Sequence, residues 1–226
     1  MSSAQALPAE APGLRILAVG ESAVLAECTE PGRFLPLYTR MRHAAVPGVV
    51  DLVPAEVTLL VAFDPAVTTR ARIIEAVEAA AAQSSTVHGI VVDVRTRRHA
   101  VVDIAVRYDG PDVGDVVRSL GLAGIDELIE LHTQQLWTAA FLGFAPGFAY
   151  LRGEHDRLDL PRRATPRTTV PAGAVALAAG YCGIYPRPSP GGWHVIGTTP
   201  APLWDAAREP ASLLEPGSRV RFHRAG

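Results

Sequence analysis

The 226-residue chain contains no lysine: all 21 of its basic residues are arginine. That absence removes a P-loop lysine, a kinase-type strand lysine, a Schiff-base lysine and a biotin-carrying lysine. Phosphate chemistry, if there is any, must rest on arginine, on backbone amides or on another polypeptide. Cysteine is almost as scarce, with only Cys28 and Cys182 and no second Cys or His near either at ligand spacing. Neither a disulfide framework nor a zinc site is expected, and no metal ligand set is assigned. Long apolar runs are missing as well. Nothing approaches the roughly 20 consecutive apolar residues of a membrane helix. The opening MSSAQALPAEAP lacks the basic start and apolar run of a signal peptide, so the cytoplasm is the expected address. A formal net charge of -2 is too balanced to advertise a nucleic-acid surface.

What is present is enough apolar residue, 48% of the chain, for one good core or two modest ones. The runs Leu14 to Val19 and Ala23 to Glu27 flank Gly20-Glu21-Ser22 and predict a hairpin. A helix is expected from about Gly32 to Ala45, then a buried strand over Val57 to Phe63. Asp64 and Pro65 supply an N-cap and a first-turn proline for a further helix, with Val67, Arg70, Ala71, Ile74, Val77 and Ala81 on one face. This succession predicts a small ferredoxin-like α/β unit over residues 1–88. The strand-like Ile90 to Val94 lies in the boundary region. From Ala100 the alternation of Val102, Ile104, Val106 and Tyr108 predicts a half-buried strand. Asp112 is expected to cap a helix carrying Val113, Val116, Val117 and Leu120, and a second capped helix is expected from Asp126. After Trp137 the texture changes to short β-like runs broken by proline and glycine, which predicts a closed barrel and an α+β chain whose second domain covers 89–226.

Between Asp159 and Asp205 there is no acidic residue, although 23 of the 226 residues are Asp or Glu, so roughly four or five would be expected there. The same interval holds Arg162, Arg163, Arg167, Arg187 and His194. Arginine presents a planar fork of donors suited to carboxylate or phosphate, and without acids the local field should be positive. The expectation is an anion-binding face; the plain alternative is a solvated barrel rim. Three glycine- and proline-rich motifs frame the interval: Phe141 to Phe148, Gly183 to Pro186 and Ser189 to His194. Their glycines, Gly191 and Gly192 among them, would let backbone amides approach a ligand. Phe148, Tyr185 and Trp193 would supply an apolar wall, and Ser189 would line or shape its turn.

The strings FLGFAPGFAYLRG, LPRRATPRTTVPAGAVALAAG, GIYPRPSPGGWHVIGTTPAPLWD and LLEPGSRVRF, spread over residues 141 to 222, resemble the family of KipI and the 5-oxoprolinase B subunits. The same family carries the older label of allophanate hydrolase, first subunit. Arg107-Tyr108-Asp109-Gly110 and Ile129-Glu130-Leu131-His132 fit it too. The resemblance implies a cyclophilin-like β-barrel behind a small α/β domain. It also implies pairing with a larger homologous polypeptide, the KipA-like C component, and with a third, lactam-utilisation polypeptide. The implied activity is ATP-dependent opening of 5-oxoproline to glutamate, with magnesium accompanying ATP. A histidine-kinase inhibitor and an allophanate-type amide hydrolase are the other activities attached to similar sequences. One departure stands out: relatives read Gly-Gly-Gln-Thr-Gly-Ile-Tyr-Pro where this chain has Tyr181-Cys182 in place of Gln-Thr, which bears on substrate identity. Within this frame Arg162, Arg163 and Arg167 are expected to contact an anion, with Arg163 essential for turnover. His132 and His194 are the acid/base or positioning candidates, and the dull alternatives are a helix-edge histidine and a strand-surface histidine.

Overall fold

A computed structural model of the chain describes residues 13–28, 34–82 and 101–226. The chain divides into two compact units, Met1–Val94 and Arg95–Gly226. The expected boundary at 88–89, the start of the expected first helix and the strand-like Ile90 to Val94 lie outside the described residues.

In the first unit, strands β1 (Leu14–Val19) and β2 (Ala23–Cys28) form the hairpin, followed by helix α1 (Phe34–Ala44), β3 (Val49–Pro54), β4 (Thr58–Phe63) and helix α2 (Arg70–Ala82). The sheet order is β1-β2-β4-β3, with every neighbouring pair antiparallel. Strand period two sends Val24, Ala26, Leu59 and Val61 to one face, where they pack on Phe34, Leu37, Met41, Ile73 and Val77 from the helices. Two expectations need correction. Helix α2 begins at Arg70 because Asp64 closes a tight turn instead, its Oδ1 accepting the Ala66 amide at 2.9 Å and its carbonyl those of Val67 and Thr68. Its buried face is consequently Ile73, Val77 and Ala80, one turn apart. Over the described residues the order ββαββα also differs from the βαββαβ order of a ferredoxin-like unit, because a hairpin precedes the first helix.

The second unit begins with β5 (Val102–Val106), then α3 (Val113–Ser119), α4 (Ile125–Thr133), β6 (Trp137–Leu142) and β7 (Ala149–Gly153). After these come β8 (Arg167–Val170), β9 (Ala174–Ala178), β10 (Tyr181–Ile184), β11 (Ser189–Gly191), β12 (His194–Thr198) and β13 (Arg219–Arg224). Seven strands form one sheet in the order β12-β9-β10-β7-β6-β13-β5, and β11 pairs with β8 as a separate ribbon. The two edges of the large sheet nearly meet. Arg107 N donates to Thr198 O at 2.9 Å and Thr198 N to Arg107 O at 2.8 Å, joining the end of β5 to the end of β12. The outcome is a nearly closed barrel. A Cβ on Gly197 would collide with the Arg107 carbonyl oxygen, so glycine is what lets the two edges approach.

β9 is buried along its whole length. Val175 and Leu177 join a large core with Ile104, Trp137, Leu151, Ile184, Ile196 and Phe222, to which α3 adds Val116 and α4 adds Leu128 and Leu131. Ala174, Ala176 and Ala178 belong to a second core rich in aromatics, with Phe141, Phe148, Tyr181, Tyr185 and Trp193. No helix among the described residues is long and apolar enough to cross a membrane.

Candidate anion-binding site

Asp112 occupies the N-cap position of α3, its carbonyl accepting the Val116 amide at 2.9 Å, but its side chain makes no cap hydrogen bond and turns toward the arginine-rich segment instead. The carboxylate is 2% exposed. It accepts hydrogen bonds from Arg163 Nη1, from Arg167 Nη1 and Nη2 at 2.7 Å each, and from the Val195 backbone amide at 2.7 Å. The bidentate fork on Arg167 is the strong form of this pairing. Burial works against charge on Asp112, yet the Arg167 hydrogen bond, the Val195 amide and the two nearby guanidinium charges outweigh it and hold the carboxyl below the usual range. The Asp112 hydrogen bond in turn keeps Arg167 more firmly protonated.

The expectation of an acid-free arginine field is therefore corrected. No acid lies within the segment, but one arrives from about fifty residues upstream and neutralises one of two guanidinium charges, as a buried charge requires. Arg163 and Arg167 are about a quarter exposed. Arg162 is exposed and has no ion-pair partner among the described residues.

Arg163 lines a shallow surface depression with Asp115, Arg118 and Ser119 from α3, Thr165 from the following loop, and His194. His194 Nε2 lies 3.0 Å from the Pro161 carbonyl oxygen; since a carbonyl only accepts, that nitrogen carries the hydrogen. His194 Nδ1 and Arg163 Nε have no hydrogen-bond partner. Arg118 pairs with Asp115 on the same helix. The structure thus brings Arg163 and His194 together and adds Arg118, which nothing in the local sequence marks out.

Other expected site residues are placed differently. Gly191 pairs with Arg167 across the β8–β11 ribbon, and the Gly192 carbonyl accepts the Arg163 amide at 2.8 Å, so both glycines hold the arginine backbone in place. A Cβ on Gly191 would strike the Tyr185 hydroxyl. Ser189 Oγ donates to the Arg187 carbonyl at 3.0 Å, which shapes the turn. Phe148, Tyr185 and Trp193 form no open wall: they are 2%, 2% and 5% exposed and pack edge to face, because aromatic area of that size is more stable in the second core. The exposed ring in this motif is Phe144, held at φ +66.

His132 is fully buried in the large core, away from the depression. Its Nδ1 shares a 2.8 Å hydrogen bond with the Tyr108 hydroxyl, its Nε2 lies 3.4 Å from Cys182 Sγ, and its ring stacks on Phe222 at 4.3 Å. Burial pushes its pKa down to about 3 and pushes the Cys182 thiol upward, so neither carries charge near neutrality. Cys182 and Tyr181 point into opposite cores, which places the departure from the Gln-Thr motif outside the depression. Among the described residues no group of three His, Cys, Asp or Glu side chains could hold a metal ion.

Residues 14–214 match the family described as carboxyltransferase domain, subdomain C and D. The chain is 44% identical over 124 residues to the 5-oxoprolinase B subunit of Escherichia coli O157:H7, covering 54% of this chain and 56% of that protein. It is 40% identical over 127 residues to the 5-oxoprolinase B subunit of Bacillus subtilis, covering 55% and 52%. The chain thus spans about half the length of the curated relatives it matches. Among solved structures, a conserved uncharacterized protein of Pyrococcus horikoshii is 33% identical, with 93% of this chain and 97% of that one covered and a TM-score of 0.54. The protein TTHA0988 is 36% identical over 91% of this chain and 40% of its own, with a TM-score of 0.72. The urea amidolyase of K. lactis, 15% identical over 94% of this chain and 15% of its own, shares the fold with a TM-score of 0.66.

Proposed function

The chain belongs to the carboxyltransferase-domain family, subdomain C and D, and from that membership we propose that it is the B subunit of an ATP-dependent 5-oxoprolinase. In this reading it acts in the cytoplasm with a larger homologous polypeptide and a third, lactam-utilisation polypeptide to open 5-oxoproline to glutamate. Identity of 40–44% to proteins named as B subunits of 5-oxoprolinase supports the choice of reaction. We read the nearly closed barrel as cyclophilin-like. The first unit reads as a ferredoxin-like sandwich whose final strand has moved to the front of the chain.

The observation that carries the reading is Arg163, pinned together with Arg167 by Asp112, at the edge of a depression that also holds His194. A lactam resists attack because amide resonance must be lost; phosphorylating its oxygen removes that obstacle. Phosphoryl transfer is accelerated chiefly by fixed positive groups on the transferring oxygens. Arg163, with its sequence neighbour Arg162 and with Arg118 across the depression, would supply them on this chain. His194, fixed by its Nε2 hydrogen bond to the Pro161 carbonyl, would line the same depression as a positioning group. Magnesium would enter with ATP, held mainly by the phosphates.

The test is to co-express the chain with its larger homologue and the lactam-utilisation polypeptide, and to follow glutamate release from 5-oxoproline with and without ATP. ATP-dependent release is expected. Its absence from an assembled complex would overturn the reading, and release from allophanate alone would reassign the substrate. Arg163→Ala is expected to leave assembly intact and to lower kcat by at least about a hundredfold, the usual loss for one preorganised charge donor; unchanged turnover removes Arg163 from the site.

A further inference from the structure

We propose that Asp112 is the positioning residue of this site: its carboxylate locks Arg163 and Arg167 against β12 and so aims the guanidinium edge that an oxyanion meets in the depression. The inference rests on the proposed reading of this surface as an oxyanion site, and not on the lactam as its substrate.

A carboxylate offers about four acceptor positions. On Asp112 they are filled by Arg163 Nη1, both Nη atoms of Arg167 and the Val195 amide. Nothing is left over for a base, a water or a ligand, so the role of Asp112 is exercised through its neighbours. Arg167 spends both terminal nitrogens on this one partner. Arg163 spends only Nη1 on it, leaving Nη2, and lines the depression; its Nε is buried. The spare donor capacity therefore belongs to Arg163, in a direction that Asp112 dictates. The same carboxylate holds the amide of Val195, the residue next to His194, so one group registers both the arginine and the histidine.

Charge is deployed economically. One carboxylate against two guanidiniums leaves a single positive charge at the node. A buried ion pair is weak evidence for stability, because an apolar replacement is often as good; it is well suited to holding a functional group within a fraction of an ångström.

The decisive experiment is calorimetric titration of the full chain with inorganic phosphate at constant ionic strength, using Asp112→Asn, Asp112→Glu and the control Arg187→Gln. Asp112→Asn removes a negative charge beside two arginines, so a merely neutralising aspartate predicts tighter phosphate binding. Positioning predicts the opposite sign: affinity weaker by about tenfold or more, the scale on which supporting groups around a binding site act. Asp112→Glu keeps the charge and moves it by one methylene; positioning again predicts weaker binding, neutralisation none. Arg187, exposed in the same acid-free stretch but outside the depression, should change affinity less than about twofold. Equal or tighter binding by the Asn variant overturns the proposal, as does the lack of saturable phosphate binding by the native chain. Should circular dichroism show the Asn variant unfolded, the Glu variant decides by the same criterion. Preserved phosphate behaviour in a complex that releases no glutamate would sink the 5-oxoprolinase reading and leave this one standing.

Discussion

His132 occupies the large core with no exposure, hydrogen-bonded to Tyr108 and stacked on Phe222. Its folded pKa, pushed down to about 3 by burial, lies below the ordinary value, so between about pH 6.5 and 3 the unfolded chain binds a proton that the folded chain does not. Stability conferred by the neutral ring is complete above pH 6.5 and is lost as pH falls, by at most roughly 1.4 kcal/mol per pH unit across that window. His132→Gln, which cannot titrate, should be less stable at pH 7.5 but show a flatter decline in urea midpoint from pH 6.5 to 4.5. An unchanged slope would mean that this ring is not the source of acid sensitivity. Residue-level legibility was uneven. The arginines were visible by their number, whereas Asp112 looked like an ordinary helix cap because nothing local tells a capping aspartate from one aimed at partners 51 and 55 residues away. A usable signal did exist: several arginines without a nearby acid, in a stretch too apolar to leave them all solvated, call for a carboxylate from elsewhere.

Elements are legible in the sequence where a single period dominates. β2 and β4 alternate cleanly and, with β1, lie where the pattern places them. β3 carries no clear strand signature because a register shift between Val49 and Asp51, where Asp51 Oδ1 accepts the Leu52 amide at 2.8 Å, breaks its alternation. The seam between β5 and β12 is the element-level feature most open to test. Gly197→Ala would drive a methyl group into the Arg107 carbonyl and the Val106 side chain, with an expected loss of roughly 1–3 kcal/mol in urea unfolding, the usual range for overpacking. Gly143→Ala is the control: its Cβ would meet only the Tyr150 ring edge at 3.7 Å, an ordinary contact, so a change within about 0.5 kcal/mol is expected. Equal effects at both positions would deny the seam any special tightness.

At the scale of the molecule, the first unit has its own core around Phe34, Leu59 and Ile73, and the second has two, one aliphatic and one aromatic. Separate cores are what independent folding requires. Residues 95–226 expressed alone should therefore give dispersed amide resonances and bind phosphate as the full chain does; a collapsed spectrum would show that the barrel depends on residues before 95. The change to short, punctuated strands after Trp137 made a barrel foreseeable, but not its strand order, since pairing partners far apart in sequence leave no local mark. β13 supplies the clearest case: it lies parallel to β5, with Val220 beside Val102, and antiparallel to β6. On the ribosome, β5 and β6 are both finished long before the strand that sits between them. Until residues 219–224 emerge, both must wait with unsatisfied edges, a state that invites chaperone capture and makes deletion of these six residues far more damaging than their number suggests.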